Sequence, residues 1–136
     1  HLLIRQLSFE CGYSAASLRE RIYSSDADAE YNMSGILIYT ASGDSEGTMG
    51  GLVRQGLPDT LPKIFYNAVQ KSKWCSGDPV CIESNGQGRD ALNISACHAC
   101  TLVSETSCEE FNILLDRALI VGTLKSTEVG FFNNLL

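Results

Sequence analysis

Cysteines are the residues of this 136-residue chain whose type and spacing most clearly indicate chemistry. Five of the six lie between positions 75 and 108, and Cys97-His98-Ala99-Cys100 is a pair separated by two residues. That spacing lets two thiolates face one tetrahedrally coordinated ion. We therefore predict a Zn²⁺ site of four thiolates, which is structural because no coordination position is left open for a substrate.

The predicted ligands are four of five cysteines: Cys75, Cys81, Cys97, Cys100 and Cys108. Cys97 and Cys100 form the close pair. Cys108 is preferred as the third ligand because it lies at the predicted start of a helix, where backbone amides and the helix dipole favour a thiolate. The fourth ligand is Cys81 or Cys75, with Cys81 preferred, and this choice stays open.

Other uses of the cysteines remain possible alternatives to zinc. An even number of cysteines permits disulfides, but disulfide frameworks are typical of short secreted chains with small cores. A Cys-x-x-Cys pair can be a redox site, although such pairs rarely have three more cysteines nearby. Buried thiols without a metal are the third alternative. Cys11 lies far from the others in an apolar segment, and we expect it to be a small core residue.

The sequence contains no recognisable catalytic constellation, so we expect no enzymatic activity from this chain. It has only two histidines and lacks His-Glu-x-x-His. A Gly-rich segment at 41–51 is predicted to contribute to partner binding through four residues: Asp44, Glu46, Gly50 and Gly51. The rival hypothesis is an enzyme in which Asp44, Glu46 and this segment bind a phosphate or a metal.

Three helices are predicted to position these residues. Apolar residues recur at helical spacing over residues 1–11 and again over 61–74. Ser107 and Glu110 form a capping box that predicts a third helix over 107–119. A zinc ion would then connect the end of the second helix to the start of the third.

A strand is predicted at residues 34–40, where β-branched and aromatic residues form an unbroken apolar run. Such a run suggests that helices cover both faces of the strand. Residues 14–23 could form a short helix or lead into a strand, and the sequence leaves both open. The predicted fold class is α/β or α+β, with a small central sheet covered by amphipathic helices and a four-cysteine zinc site.

Composition limits the classes of protein to which the chain can belong. It is 44% hydrophobic with a net charge of −6, which is typical of one globular domain over residues 1–136. No apolar run reaches the roughly 18 residues of a membrane helix. The acidic balance disfavours direct binding to nucleic-acid phosphates. Both ends are apolar, so we expect a C-terminal fragment of a longer chain, and without a signal sequence we expect it in the cytoplasm.

Several segments resemble the MrfA-like zinc-binding domain, which ends certain superfamily 2 DNA helicases and also occurs in helicase-associated proteins. The resemblance lies in Trp74-Cys75, in the Cys97–Cys100 pair, and in a downstream pattern formed by four residues: Cys108, Asn112, Leu115 and Asp116. Residues 12–23 and 44–52 further resemble the DrmB subunits of DISARM anti-phage systems. The resemblance extends from residue 1 to about residue 122.

The resemblance implies a non-catalytic zinc module that supports a superfamily 2 helicase partner in handling DNA, in anti-phage defence. The implied partners are the helicase subunit and, mainly through the complex, DNA; no membrane is implied. One alternative is the C-terminal zinc domain of a DNA repair helicase. Another is a direct DNA-binding module, which would need five basic residues on one face: Lys71, Lys73, Arg89, Arg117 and Lys125.

Overall fold

A computed structural model describes residues 1–41 and 51–135. Over these two ranges it has an α+β fold with six regular elements, in chain order: α1 (Leu2–Cys11), β1 (Leu18–Ser24), β2 (Ser34–Thr40), α2 (Gly51–Gln55), α3 (Leu61–Ser72) and α4 (Ala118–Val121). Short 3₁₀ turns join or follow them at Ala15–Ser17, Arg89–Ala91, Glu105–Ser107, Thr127–Val129 and Asn133–Leu135. Within the described residues, none of the helices has the length and apolar character needed to cross a membrane.

Helix α1 confirms the helix predicted over residues 1–11. Its buried residues include Ile4 and Leu7, which recur at the spacing of one helical face. The helix ends at Gly12, whose φ of 73° is left-handed and whose N–H donates to the carbonyl of Ser8 at 3.0 Å. Glycine takes this conformation without the steric cost that a Cβ imposes.

Helix α3 confirms the second predicted helix and packs against α1. Ile64, Ala68 and Val69 form its buried stripe, and Pro62 lies in its first turn, where a missing N–H costs nothing. The predicted cap residue, Thr60, makes no capping hydrogen bond, and its hydroxyl donates to the Arg54 carbonyl at 2.9 Å. The hydrophobic core between these elements consists of four buried residues: Ile4, Leu7, Leu18 and Ile64.

The two strands form one antiparallel hairpin in which Leu18 pairs with Thr40 and Ser24 with Ser34. Strand β2 confirms the predicted strand, and β1 settles the open segment as a 3₁₀ turn followed by a strand. The expected burial on both faces is wrong, because Ile36 is 66% exposed. Among the described residues the sheet has only these two strands, and Leu18 of β1 lies in the hydrophobic core with Ile38 of β2 packed against it.

The helix predicted over 107–119 is wrong. Only a 3₁₀ turn at Glu105–Ser107 and the four-residue α4 are helical there. Phe111, Asn112 and Leu114 have φ values of 50°, 60° and 62°, which a right-handed helix cannot contain. The apolar residues of this segment therefore do not form one helical stripe, and a metal cannot connect two helices as expected.

Buried amide side chains organise this irregular segment in place of a helix. The Asn93 side chain donates to the Asn112 carbonyl at 2.8 Å and accepts from the Leu115 N–H at 3.0 Å. The Asn112 side chain accepts from the Val103 N–H at 3.0 Å and donates to the Val103 carbonyl at 2.8 Å. These bonds satisfy backbone groups that no helix or sheet pairs.

Candidate metal centre

Four cysteine sulfurs converge on one point in the structure. The sulfurs of Cys75, Cys81, Cys97 and Cys100 all lie within 4.8 Å of one another. The Cys75–Cys97 distance is 3.5 Å, and the Cys81–Cys100 and Cys97–Cys100 distances are both 3.8 Å. Sulfurs bound to one tetrahedral Zn²⁺ at about 2.3 Å lie about 3.8 Å apart. The four sulfurs therefore have the spacing that a tetrahedral metal requires.

Two tight turns deliver the sulfurs in pairs. Cys75 follows the end of α3, and Asp78 accepts hydrogen bonds from the N–H of Cys75 at 2.8 Å and of Ile82 at 3.0 Å. This carboxylate therefore fixes the turn that carries Cys75 and Cys81. The second pair lies in a turn closed by the Cys100 N–H, which donates to the Cys97 carbonyl at 3.2 Å.

Hydrogen-bond donors surround the sulfurs. Four of them lie within 3.4 Å of a cluster sulfur: the backbone N–H groups of Gly77 and Cys97, the side-chain amide of Gln87 and the hydroxyl of Thr101. Donors of this kind favour the thiolate over the thiol, because they bind the charged form more strongly. The surroundings therefore suit sulfurs that are deprotonated to bind a metal.

The thiols share one site, so their pKa values move apart. For Cys97, burial acts to raise the pKa, but hydrogen bonds from the Cys100 and Ala99 backbones and the neighbouring thiol of Cys75 outweigh it and lower the pKa to about 7. Burial raises the pKa of Cys81 to about 12, and neighbouring thiols add to this rise. Metal binding to these sulfurs would displace the protons that the thiols carry.

A fully buried guanidinium lies beside the cluster. Arg117 donates to Asp78 at 2.5 Å, to the Ser95 carbonyl at 2.8 Å and to the Ser72 carbonyl at 3.2 Å. Burial acts to raise the pKa of Asp78, but these contacts with Arg117 and the Cys75 N–H hold it below its ordinary value. The positive charge next to four sulfurs offsets part of the negative charge that they carry when deprotonated.

Sequence reasoning missed this role of Arg117. We considered the residue only as part of a basic face for DNA, but it is 0% exposed and cannot reach a phosphate. The hypothesis that all five basic residues lie on one exposed DNA-binding face is therefore wrong. A single arginine inside an irregular segment gives no periodic signal that would mark it as buried.

The structure brings together Cys75, Cys81, Cys97 and Cys100 but places Cys108 elsewhere. Cys75 and Cys81, the two candidates for the fourth ligand, are therefore both in the group. Cys108, the preferred third ligand, is not. The reason is that the helix expected at Cys108 does not form. Short sequence spacing would have indicated the observed group better than the predicted helix did. Residues 75 and 81 and residues 97 and 100 are the two most closely spaced cysteine pairs in the chain.

The remaining predicted site residues lie outside this cluster. Asp44, Glu46 and Gly50 are outside the described residues, and Gly51 is the first residue of α2. His98 lies between two cluster cysteines but is exposed and is not part of the group.

Cys108 lies in a second group with His1 and Glu20. The three ligand atoms are within 4.8 Å of one another, and all three side chains are largely buried. Burial acts to raise the pKa of Glu20, but hydrogen bonds from His1 and Cys108 outweigh it and hold the pKa below its usual value. Burial raises the pKa of the Cys108 thiol. None of the sequence motifs indicated this group, because its members come from distant parts of the chain.

Comparison with known families accounts for the four-cysteine group. The MrfA Zn-binding domain family matches residues 1–101, a range that contains all four clustered cysteines and ends before Cys108. The chain belongs to the MrfA Zn-binding domain family. The resemblance drawn from the sequence is thus confirmed, and the four clustered cysteines all lie within the matched range.

A curated relative extends the comparison over the whole chain. The chain is 46% identical over all 136 residues to the DISARM protein DrmB of Bacillus paralicheniformis. It spans 23% of that relative's length. The similarity to a DISARM protein therefore holds over the whole of this chain and over less than a quarter of that relative.

Proposed function

We propose that the chain is a non-catalytic Zn²⁺-binding module of a helicase-associated DISARM protein, acting in the cytoplasm. It would support a superfamily 2 helicase subunit in handling invading DNA, and contact DNA mainly through that complex. The observation that carries the proposal is the convergence of four largely buried cysteine sulfurs within 4.8 Å of one another. Thiolates select Zn²⁺ among the common divalent ions, and four of them complete its coordination.

The proposed role of the ion is structural. Residues 75–101 contain turns and a single 3₁₀ segment, and the four cysteines lie at both ends of this stretch. A metal bound to all four sulfurs would close the stretch and join it to the end of α3. In such domains the free energy of metal binding is part of the free energy of folding.

Saturated coordination supports the absence of catalysis at this metal. Catalytic zinc sites keep one position for water or substrate, whereas a site of four cysteines has none. The four sulfurs are also mostly buried, with only Cys97 partly exposed. A substrate therefore has neither a coordination position nor open access.

The hairpin is the surface that we propose for the helicase partner. Large apolar side chains are exposed along both strands: Ile22, Tyr23, Ile36, Leu37 and Tyr39. Ile22 and Ile36 are directly opposite each other, so two apolar side chains form one patch. Contiguous apolar surface on a folded domain is typical of a protein interface. The segment with Asp44, Glu46, Gly50 and Gly51 follows β2 in sequence, and we include it in the proposed surface.

Acidic composition also favours a protein partner over DNA. The chain carries a net charge of −6, and the buried Arg117 is not available to phosphates. Binding to phosphates relies on lysine and arginine that displace counterions. We therefore place DNA contact in the complex rather than in this domain.

A pull-down with the purified helicase subunit tests the partner proposal. Ile36→Asp in the complete protein should weaken helicase binding by about tenfold or more, because it puts a charge into the apolar patch. Val80→Asp is the control, since Val80 is 79% exposed on another part of the surface. Both variants should retain the zinc content of the unaltered protein. Unchanged helicase binding by Ile36→Asp would move the interface away from the hairpin.

A further inference from the structure

The His1, Glu20 and Cys108 group has the geometry of a second metal site. Its three donor atoms are a ring nitrogen, a carboxylate oxygen and a sulfur, all within 4.8 Å of one another. His1 Nε2 and Glu20 Oε1 are 3.2 Å apart. A nitrogen and an oxygen bound to one tetrahedral Zn²⁺ at about 2.0–2.1 Å lie about 3.3 Å apart. The separation of these two atoms therefore suits a shared metal.

The other ring nitrogen of His1 determines what its Nε2 can do. His1 Nδ1 is 3.1 Å from the carbonyl oxygen of Thr101. A carbonyl oxygen only accepts, so Nδ1 carries the proton of this hydrogen bond. In the neutral ring Nε2 then carries no proton, and its lone pair faces the Glu20 carboxylate, which is also an acceptor. The pair is stable only if a proton or a metal cation lies between these two atoms.

The same arrangement is characteristic of histidine ligands. A metal-binding histidine almost always donates its second ring N–H to a carbonyl or carboxylate, which fixes the ring and its tautomer. The Thr101 carbonyl takes this role for His1. Thr101 also donates its hydroxyl to the Cys100 sulfur at 3.1 Å, so one residue contacts both the His1 group and the four-cysteine cluster.

The Cys108 sulfur has the surroundings of a thiolate ligand. It accepts a hydrogen bond from the Asn112 backbone N–H at 3.3 Å. The bond resembles those from Gly77 to Cys75 and from Cys97 to Cys100, which are also 3.3 Å long. Cys108 thus receives the same type of backbone donor as the sulfurs of the four-cysteine cluster.

We propose that His1 Nε2, the Glu20 carboxylate and Cys108 Sγ form a second Zn²⁺ site in this domain. A thiolate and a carboxylate supply two negative charges, which balance those of the ion, and the imidazole is neutral. Three protein ligands leave one coordination position for water or another donor. The ion would join the start of α1, strand β1 and the residue after the Glu105–Ser107 turn.

The test counts zinc in variants of the complete protein after zinc loading and gel filtration. Cys108→Ser and His1→Gln should each lose one zinc equivalent per chain relative to the unaltered protein. Cys108→His should retain that equivalent, because imidazole replaces the thiolate as a zinc ligand. Cys81→Ser is the reference for the four-cysteine cluster and should lose one equivalent independently, so the two sites are distinguished.

A proton in place of the metal predicts the opposite result. If His1 is an imidazolium paired with Glu20, then Cys108→Ser and His1→Gln would both keep the full zinc content, and the second site would be refuted. Circular dichroism identifies any variant that fails to fold. Should Cys108→Ser misfold, folded His1→Gln decides the question, since its side chain can still accept and donate hydrogen bonds.

Discussion

Arg117 and Asp78 show how single residues support the cluster from outside it. Asp78 holds the turn that carries two cysteines, and Arg117 holds Asp78 while satisfying two backbone carbonyls. Burying such a pair costs solvation free energy, which only complete hydrogen bonding recovers. The Arg117–Asp78 pair thus helps to hold Cys75 and Cys81 in position, although neither Arg117 nor Asp78 contributes a sulfur.

Replacing Arg117 should be among the most destabilising changes in the chain. Arg117→Leu leaves Asp78 and two carbonyls without their partner, and we expect a loss of about 3–5 kcal/mol of unfolding free energy. Arg54→Leu is the control on an exposed arginine and should stay within about 0.5 kcal/mol of the unaltered chain. Urea unfolding of the zinc-loaded 136-residue chain measures both. Equal unfolding free energies for the two variants would refute the supporting role of Arg117.

The existence of three regular elements could be predicted from the sequence. Helices α1 and α3 follow from the spacing of their apolar residues, and strand β2 follows from its unbroken run of β-branched and aromatic residues. The burial of β2 could not be predicted from the sequence, because an apolar run such as 36–39 occurs both in central strands and in exposed hairpins. Which of the two occurs depends on how many strands pair, and that is decided by the rest of the chain.

The helix predicted over residues 107–119 does not form, for a different reason. Their apolar spacing and capping box match a helix, but Asn112 binds Val103 and Asn93 binds Leu115 across the chain. These bonds occur together with left-handed backbone at positions 111, 112 and 114, which local propensity does not reveal. The choice of Cys108 as a ligand of the cluster rested on that helix, and the structure places its sulfur outside the four-cysteine group.

The turn at Gly88 offers a test at the scale of elements. Gly88 has a φ of 72°, and a Cβ there would lie 2.6 Å from the Asn93 side-chain amide. Gly88→Ala should therefore lower the unfolding free energy by roughly 2 kcal/mol or more, since it combines backbone strain with a displaced buried asparagine. The measurement is urea unfolding of the zinc-loaded chain.

Gly35→Ala is the matched control for that substitution. Gly35 lies in β2 with a φ that other residues adopt, and a Cβ added there would meet no atom within 4 Å. We expect a change of at most about 0.5 kcal/mol. A comparable loss in the two alanine variants would show that the Gly88 turn does not constrain the fold.

At the scale of the whole molecule, the described residues form two separate cores. One is hydrophobic and joins α1, β1 and α3; the other consists of cysteine side chains. The buried residues of the cysteine core are themselves proposed metal ligands, whereas the hydrophobic core contains none. Regular hydrogen bonding is sparse in residues 75–101, so these residues should open at a lower free energy than α1 once the metal is gone.

Hydrogen–deuterium exchange tests this division. Chelation should raise exchange at Cys81, Cys100 and Thr101, whose amides are hydrogen-bonded only within turns. Amides in the middle of α1 should retain most of their protection, because the hydrophobic core does not contain the metal ligands. Loss of protection to the same extent in α1 and in the cysteine segment would show that the two cores form one cooperative unit.

Zinc content of Cys81→Ser, compared with Cys11→Ser, tests the four-cysteine site most directly. Both substitutions remove one thiol, but the Cys81 sulfur belongs to the cluster and Cys11 lies outside it. Elemental analysis of the purified protein should show that Cys81→Ser loses one zinc equivalent per chain, while Cys11→Ser retains the full amount. Equal zinc content in the two variants would contradict a zinc ion held by Cys75, Cys81, Cys97 and Cys100.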